Sequence, residues 1–204
     1  MKIERKIGIF GGSFNPVHNG HIKLAKTYYK ALELDEILVI PSNIPPHKSV
    51  EKPTSAEDRV NMLKLAFKDL SYVTVSDIEV RLGGKSYTVL TLQELKKLYP
   101  DDRLYLIVGG DMFLCFDKWR EYEKILSMCT LCAAPREEGE IIKLLAYQEK
   151  LDPSKERTII LDVSVLEISS SEIRSKIENK QELKDLVPNE VFEYIVEKGL
   201  YNND

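Results

Sequence analysis

Short apolar runs alternate with longer helical patterns along this chain, and this alternation restricts the fold more than any other feature of the sequence. Six runs predict strands, at 6–10, 36–40, 72–80, 104–109, 130–134 and 158–163. Seven patterns predict helices, near 19–33, 55–69, 88–98, 112–126, 139–148, 171–178 and 189–198. Chains with this alternation build a mostly parallel sheet with helices on both faces, so we predict a doubly wound α/β fold.

The length and composition predict one globular domain. The chain has 204 residues, of which 43% are apolar and 30% charged, a profile typical of a soluble enzyme and not of a disordered or fibrous protein. We predict a single domain over 1–204, with a small helical part at its C-terminal end, from about 165 to 204. Residues 41–55 carry four prolines without apolar periodicity, which predicts a long loop of a kind that often has a function.

Charge, apolar segments and cysteines argue against several classes of function. The formal net charge of −4 offers no general basic surface, so no nucleic-acid partner is expected. The first residues lack the apolar region of a signal peptide and no window approaches a membrane span, so we expect a cytoplasmic protein without a membrane partner. Cys129-x-x-Cys132 lies in an apolar run without a second pair, which favours a structural role over a redox or zinc role.

The stretch GIFGGSFNPVHNGH, residues 8–21, joins the first predicted strand to the first predicted helix. Gly11 and Gly12 end the strand at the edge where such sheets bind ligands, and they allow the backbone to approach a ligand closely. His18 and His21 share one face at the start of the helix, whose free N–H groups and dipole attract anions. The combination predicts a polyphosphate site. A plain turn and a zinc site are less favoured, and the P-loop pattern is absent.

The motifs of this chain resemble those of the nucleotidyltransferases that carry H-x-G-H. GGSFNPVHNGH is similar to their first signature, and EISSSEIR at 167–174 is similar to their second, I-S-S-T-x-I-R, with Ser171 in place of threonine. Four further segments narrow the resemblance to the bacterial nicotinate-nucleotide adenylyltransferases, over essentially the whole chain: PPHK (45–48), SYTVLTL (86–92), GGDMF…W (109–119) and VPNEVFEYIVEKGLY (187–201). The resemblance implies a Rossmann-like nucleotidyltransferase fold and the conversion of ATP and nicotinate mononucleotide to deamido-NAD and pyrophosphate, a step of NAD biosynthesis.

The resemblance also implies which residues bind ATP. His18, His21 and Arg174 form the predicted catalytic set, with His18 nearer the α-phosphate. Asp111 is predicted to contact the ribose or the water shell of a metal ion, with a helix N-cap as the alternative, and Gly109 to allow close approach of adenosine. The predicted ATP-binding set is Gly11, Gly12, Ser13, Phe14, His18, His21, Gly109, Asp111, Ser170, Ser171 and Arg174.

ISSSEIR admits a purely structural explanation. Ser169-x-x-Glu172 fits a capping box, which is a common way to begin a helix. Arg174, however, is predicted in the first helical turn, where a cation opposes the helix dipole. A phosphate opposite Arg174 would account for that placement, so we favour a second phosphate clamp made by Ser170, Ser171 and Arg174.

A second set is predicted to bind the mononucleotide. Trp119, the only tryptophan, is predicted to stack on the cationic pyridine ring, with core packing as the alternative. Backbone N–H groups of Ser86, Tyr87 and Thr88, with Thr88 foremost, are predicted to hold the nicotinate carboxylate. Lys48 is predicted to meet the substrate phosphate unless it is a solvated loop residue. Arg136 is predicted either to reach phosphate or to be a surface charge.

The implied chemistry needs little from protein side chains beyond charge and alignment. The attacking phosphate monoester is already largely dianionic near neutral pH, because its second pKa is about 6. No general base or protein nucleophile is required, and the enzyme must align two anions and stabilise the leaving pyrophosphate. Mg²⁺ is expected to bind through the β- and γ-phosphate oxygens of ATP and through water, and not through protein side chains.

Other functions remain open on the sequence. Phosphopantetheine adenylyltransferase shares H-x-G-H, but SYT and GGDMF…W argue against a pantetheine arm. A cytidylyltransferase is a less favoured relative. A nucleotide-binding regulator without turnover is the alternative from a different class, and the intact His18, His21 and Arg174 argue against it. The oligomeric state is also open, and it includes a homo-oligomer.

Overall fold

A computed structural model describes residues 4–46, 54–135, 139–163, 168–179, 183 and 185–202. Within these residues six strands form one sheet: β1 (Lys6–Gly12), β2 (Glu36–Pro41), β3 (Val73–Val75), β4 (Arg103–Gly109), β5 (Thr130–Ala134) and β6 (Thr158–Ile160). The strand order is β3-β2-β1-β4-β5-β6 and every neighbouring pair is parallel. This is the order of a doubly wound Rossmann-type sheet, so the predicted fold class is confirmed.

Helices connect the strands and cover the sheet. They are α1 (Asn19–Ala31), α2 (Ala56–Phe67), α3 (Ile78–Leu82), α4 (Thr88–Leu98), α5 (Gly110–Phe113), α6 (Tyr122–Met128), α7 (Glu140–Leu151), α8 (Ser170–Glu178) and α9 (Asn189–Glu197). A single 3₁₀ turn, Phe116–Lys118, lies between α5 and α6. No helix of the described part is both long enough and apolar enough to cross a lipid bilayer.

The core has two layers, one on each face of the sheet. Alternate residues of a strand point to opposite faces, so Ile7 and Ile9 of β1 pack into one layer while Phe10 packs into the other. Both layers are apolar, as expected for a parallel sheet that helices cover on both sides. Gly8 lies on the crowded face, where an added Cβ would come within 2.8 Å of the Leu34 side chain. A side chain at this position would therefore crowd Leu34, Ile37 and Ile107.

Three predicted elements differ from the structure. The predicted strand 72–80 is only Val73–Val75, since β3 is an edge strand paired with three residues of β2, and the chain then turns into α3. The predicted strand 158–163 ends at Ile160. The predicted helix 112–126 is broken into α5, the 3₁₀ turn and α6. The break comes where Trp119 is extended and Glu121 has a left-handed backbone with φ of 53°.

Candidate active site

Two neighbouring cavities open at the carboxyl ends of β1 and β4, where the strand order reverses. The histidine cavity, of about 280 Å³, is lined by His18, His21 and the start of α8. The tryptophan cavity, of about 180 Å³, is lined by Trp119 and the start of α4. Both are bordered by Gly11, Gly12, Ser13, Gly109 and Met112. The position agrees with the general rule that doubly wound sheets bind ligands at this edge.

His18 and His21 are stacked at the start of α1. Their ring centroids are 3.6 Å apart with an angle of 28° between the planes, and His18 is only 6% exposed. The backbone N–H of His18 donates to Nδ1 of His21 at 3.2 Å. A neutral imidazole that accepts at Nδ1 carries its proton on Nε2, so His21 has a hydrogen-bond donor there. His18 occupies the N-cap position and His21 the third position of the helix, as the spacing predicts.

Phe14 does not line either cavity, although it belongs to the predicted ATP-binding set. It is 1% exposed and packs edge-on against His21, with 4.9 Å between ring centroids, and against Phe10 at 5.4 Å. A Cβ added to Gly12 would lie 3.0 Å from the Phe14 ring, so the backbone runs directly over this side chain. Phe14 therefore supports the histidine cavity from behind, because the apolar core is the better environment for its ring.

The start of α8 forms the opposite wall of the histidine cavity. Ser169 accepts from the Glu172 N–H at 3.1 Å, so the capping interpretation is correct for this residue. Ser170 Oγ donates to the Pro16 carbonyl at 2.9 Å. The second motif is thus attached to the loop between β1 and α1, even though the two motifs are far apart in the sequence.

Arg174 reaches back along α8 to the same loop. Its Nη1 donates to the Asn15 carbonyl at 2.7 Å and its Nη2 to Ser171 Oγ at 3.1 Å. Arg174 is the fifth residue of α8, so its predicted place in the first turn is wrong. Helical side chains lean toward the N-terminus, which still brings the guanidinium to the cavity.

Asp111 and Gly109 lie where β4 meets α5. Gly109 is the N-cap of α5, so the alternative interpretation of Asp111 as that N-cap is wrong. Asp111 is exposed and places a carboxylate on the wall of the histidine cavity. Gly109 borders both cavities.

The tryptophan cavity is lined by four residues predicted to bind the mononucleotide, Ser86, Tyr87, Thr88 and Trp119. Trp119 also packs on Phe116, with 5.1 Å between ring centroids. Trp119 therefore contributes to core packing and also lies in the cavity wall.

Helix α4 begins at Thr88, at the cavity wall. The N–H of Ser86 donates to the Ile44 carbonyl at 2.9 Å and that of Tyr87 to the Lys85 carbonyl at 3.0 Å. The first N–H groups of a helix have no partner within the helix, and those of α4 start with Thr88. Of the three predicted backbone donors, Thr88 is therefore the one available to a ligand. Lys48 and Arg136 lie outside the described residues.

Arg59 is a buried residue that the sequence does not single out. It is 4% exposed and donates to the backbone carbonyls of Ser13 at 3.0 Å, Asn43 at 3.3 Å and Thr54 at 3.3 Å. Burial lowers the pKa of this guanidinium from its ordinary value. Arg59 thereby joins the loop after β1 to the loop after β2. In the sequence it is one polar residue within a helical pattern, and nothing marks its long-range contacts.

The C-terminal segment fastens the loop between β1 and α1. Tyr201 donates from its hydroxyl to Asn15 Oδ1 at 2.8 Å. Asn19 donates from its backbone N–H to the Leu186 carbonyl at 2.8 Å and from its side chain to the Asp185 carbonyl at 2.9 Å. Residues more than 160 positions apart in the chain thus complete one side of the histidine cavity.

The Tyr201 contact predicts a dependence of stability on alkaline pH. Burial raises the pKa of Tyr201 from its ordinary value of 10.0 to about 12. A phenol with a higher pKa in the folded than in the unfolded protein stabilises the fold fully below pH 10, and this contribution is lost as the pH rises toward 12. We therefore expect the free energy of unfolding to fall over this range, and to fall less steeply in Tyr201→Phe. Urea unfolding at a series of pH values measures both slopes.

Tyr147 provides a comparison for this experiment. Its pKa is also raised to about 12 by burial, and its hydroxyl donates to Asp117 Oδ1 at 2.7 Å, away from Asn15. Tyr147→Phe should also make the free energy of unfolding fall less steeply between pH 10 and 12. The effects of Tyr147→Phe and Tyr201→Phe should add in the double variant, because the two residues act independently. Equal slopes in wild type and Tyr201→Phe would contradict the expected role of the Tyr201 hydroxyl.

Comparisons with known proteins agree with this geometry. A cytidylyltransferase-like family model matches residues 9–176. A Clostridium tetani protein described as a probable nicotinate-nucleotide adenylyltransferase is 36% identical over 198 residues, covering 97% of this chain and 99% of that protein. A Dehalococcoides mccartyi protein with the same description is 38% identical over 200 residues, covering 98% of each.

Solved structures show the same fold. The Plasmodium falciparum nicotinic acid mononucleotide adenylyltransferase complexed with NaAD superposes with a TM-score of 0.81 at 22% identity, covering 97% of this chain and 98% of that one. The same enzyme complexed with APC gives a TM-score of 0.78 at 21% identity and the same coverage. At this identity the likeness concerns the fold, and the full-length relatives carry the family relationship.

Proposed function

The chain belongs to the nicotinate-nucleotide adenylyltransferases of the cytidylyltransferase-like family, and on this premise we propose that it transfers the adenylyl group of ATP to nicotinate mononucleotide. The products are deamido-NAD and pyrophosphate, in the biosynthesis of NAD. One observation carries the assignment to this site. The two phosphate-binding motifs converge on the histidine cavity, which shares its rim with a second cavity that has an aromatic wall and a helix N-terminus.

The histidine cavity is proposed to bind ATP. His21 Nε2 and the His18 ring donate to phosphate oxygens from one wall, and Ser170, Ser171 and Arg174 face them from the other. The transfer forms a bond between a phosphate oxygen of the mononucleotide and the α-phosphorus of ATP, and it breaks the bond from that phosphorus to the bridging oxygen of pyrophosphate. Donors placed on both sides of the reacting phosphorus align the two anions and stabilise the charge that develops on the leaving group.

Mg²⁺ is the proposed metal partner of ATP. Among the described residues no group of three or more His, Cys, Asp or Glu side chains is arranged to hold a metal ion. Asp111 contributes a carboxylate to the histidine cavity. This donor set fits an ion that binds mainly to phosphate oxygens and water, with Asp111 in its water shell or on the ribose. When bound, the ion neutralises negative charge on the pyrophosphate.

The tryptophan cavity is proposed to bind nicotinate mononucleotide. The indole of Trp119 offers a face to the electron-poor pyridine ring, and the N–H of Thr88 offers a donor to its carboxylate. The shared rim at Gly11–Ser13 then brings the mononucleotide phosphate toward ATP. Lys48 and Arg136 remain proposed phosphate contacts.

We further propose that the chain is one domain over 1–204 and works in the cytoplasm without nucleic-acid or membrane partners. Support for one domain comes from the C-terminal part, whose residues 185–201 bond directly to the loop between β1 and α1. The proposal leaves the number of subunits open, a homo-oligomer included.

Pyrophosphate release tests the activity. The purified protein with ATP, Mg²⁺ and nicotinate mononucleotide should release one pyrophosphate for each deamido-NAD formed. Phosphopantetheine in place of the mononucleotide, or CTP in place of ATP, should give little product. Product with phosphopantetheine and ATP, but none with nicotinate mononucleotide and ATP, would support the phosphopantetheine adenylyltransferase alternative. Nucleotide binding without turnover of any pair would support the regulator.

Arg174→Lys tests the second phosphate clamp. Lysine keeps the charge but loses the planar fork that serves Asn15 and Ser171 together. We expect the KM for ATP to rise about tenfold, because a hydrogen bond to a charged group contributes about 1.5–3 kcal/mol. The KM for nicotinate mononucleotide should change much less. Steady-state kinetics with each substrate varied in turn measures the difference.

Lys176 supplies the matched control for Arg174. It lies on the same helix and, within the part of the chain that the structure describes, forms a long ion pair with Glu172 at 3.8 Å. Lys176→Met removes a cation from α8 and should leave both KM values unchanged, since exposed pairs of this kind contribute little. If Arg174→Lys lowered the unfolding temperature but left the KM for ATP unchanged, Arg174 would be a structural residue only.

A further inference from the structure

Glu79 lies in the wall of the tryptophan cavity, next to the start of α4. It belongs to α3, is 9% exposed and lines the cavity. Its carboxylate accepts from Thr91 Oγ1 at 2.7 Å. A carboxylate is tolerated in such a place only if hydrogen bonds or charges compensate for lost water. Glu79 therefore ties the first turn of α4 to α3 through Thr91.

Ser86 extends this contact to the loop that follows β2. Its Oγ accepts from the Asn43 N–H at 2.8 Å, and its own N–H donates to the Ile44 carbonyl at 2.9 Å. The Asn43 side chain adds a bond to the Gly84 carbonyl at 3.0 Å. The pKa of Glu79 is raised mainly by burial, and the Ser86 hydroxyl lowers it. Ser86 thus joins the start of α4 to the loop after β2.

Arg59 links the same network to the rim of the cavities. Burial raises the pKa of Glu79, and the nearby charge of Arg59 opposes this shift. Arg59 also donates to the carbonyls of Asn43 and Ser13. A further cavity of about 170 Å³ is lined by Glu79 and Ser86 as well, so these two residues form a wall between two open spaces.

We propose that Glu79 is a positioning residue for the pyridine carboxylate: through Thr91, and next to Ser86, it holds the first turn of α4 so that the Thr88 N–H faces the tryptophan cavity. The proposal rests on the proposed function, because it concerns nicotinate mononucleotide in this cavity. Glu79 acts here through other residues and does not itself touch the substrate. Its loss should weaken binding of the mononucleotide selectively, since the histidine cavity is held by other contacts.

The test compares KM values for the two substrates. Glu79→Ala and Ser86→Ala should each raise the KM for nicotinate mononucleotide about tenfold or more, because small displacements of a positioning group are costly. The KM for ATP should stay within about twofold of the wild-type value. Glu79→Gln keeps the volume and can still accept from a hydroxyl, so it should recover most of the affinity. The double variant Glu79→Ala/Ser86→Ala should have a KM for the mononucleotide no higher than that of the more impaired single variant. Both substitutions disturb the same start of α4, so their effects should not add.

Thr158→Val is the matched control for a purely structural loss. Thr158 is 2% exposed, and its hydroxyl donates to Asp152 at 2.9 Å, a buried hydroxyl–carboxylate bond at β6 that lines neither cavity. Thr91→Val removes the comparable bond to Glu79. The Thr158 hydroxyl also accepts from Gln148 Nε2 at 2.9 Å. Thermal unfolding should therefore show at least as much destabilisation for Thr158→Val, whereas only Thr91→Val should raise the KM for nicotinate mononucleotide.

Fluorescence of the only tryptophan, Trp119, reports mononucleotide binding without turnover. Weaker binding in Glu79→Ala with normal ATP kinetics is the expected result. If Glu79→Ala raised the KM values for ATP and the mononucleotide equally, or stayed active without raising the KM for the mononucleotide, the inference would be overturned. The proposed function would not be affected by either result. A wild-type protein that neither binds nor adenylylates the mononucleotide would overturn the proposed function and this inference with it. If Glu79→Ala does not fold, Ser86→Ala and Thr91→Val decide the outcome by the same measurements.

Discussion

His18→Ala is expected to lower kcat about a hundredfold or more in a protein that still folds. The ring of His18 lies on the wall of the proposed ATP site and stacks on His21 at 3.6 Å. Loss of one donor that stabilises developing charge costs about 100- to 1000-fold in comparable sites. The substitution also removes the partner of the His21 ring, which adds to the effect on alignment. Rapid measurement of pyrophosphate release at saturating substrates gives kcat directly.

His18→Ser separates catalysis from helix capping. His18 is the N-cap of α1, and serine is a favoured N-cap residue with a side chain too short to replace the imidazole. We expect His18→Ser to be at least as stable as His18→Ala and to lose kcat to a similar degree. A folded His18→Ala protein with near-normal turnover would refute the proposed role of the first motif.

Nicotinate mononucleotide is expected to be preferred over nicotinamide mononucleotide by about tenfold to a thousandfold in kcat/KM. A carboxylate at the start of α4 gains from the helix dipole and from a charge-assisted hydrogen bond, which is about twice as strong as a neutral one. The amide would also place an N–H₂ group against the Thr88 donor, leaving donors unpaired at a cost of about 1–3 kcal/mol. Each 1.4 kcal/mol corresponds to a factor of ten.

Thr88→Pro tests the origin of this preference. Thr88 is the first residue of α4, a position that proline favours, and the preceding Tyr87 has the extended backbone that proline requires, with φ of −87° and ψ of 119°. Proline therefore removes the N–H while keeping the helix. We expect Thr88→Pro to lose most of the preference for the acid, and Thr88→Ala, which keeps the N–H, to retain it.

Trp119→Ala should weaken both mononucleotides to a similar extent, since stacking does not distinguish acid from amide. Equal kcat/KM values for the two mononucleotides in the wild-type protein would refute the carboxylate site. If Trp119→Ala lost the preference but not the affinity, the proposed roles of Trp119 and Thr88 would be exchanged.

The sequence predicted the fold and the placement of the two main motifs well, because both depend on local patterns. Strand and helix periods determine a parallel sheet, and His18 and His21 necessarily follow β1 at its carboxyl end. The start of α4 at Thr88 was predictable for the same reason. The strand predicted over 72–80 was too long, since the length of an edge strand depends on its neighbour and not on its own β-branched residues.

Contacts between distant segments could not be predicted. Arg59, Glu79 and Tyr201 are ordinary residues of helical or terminal patterns, and their importance comes from the carbonyls, hydroxyls and amides that folding brings beside them. The sequence predicts Phe14 in the ATP-binding set because this residue lies within the first motif. In the structure its ring packs into the core, since the backbone turns at this residue with φ of 46°. Membership of a motif therefore does not decide which way a side chain points.

The bond between Tyr201 and Asn15 has a consequence for how the protein is made. The two residues are 186 positions apart, and Asn19 likewise depends on Asp185 and Leu186. Chains begin to fold from the N-terminus during synthesis, so the sheet strands emerge from the ribosome long before these partners do. The loop that carries the first motif is thus held in its final position only after residues 185–201 have been synthesised, and a shorter nascent chain lacks this side of the histidine cavity.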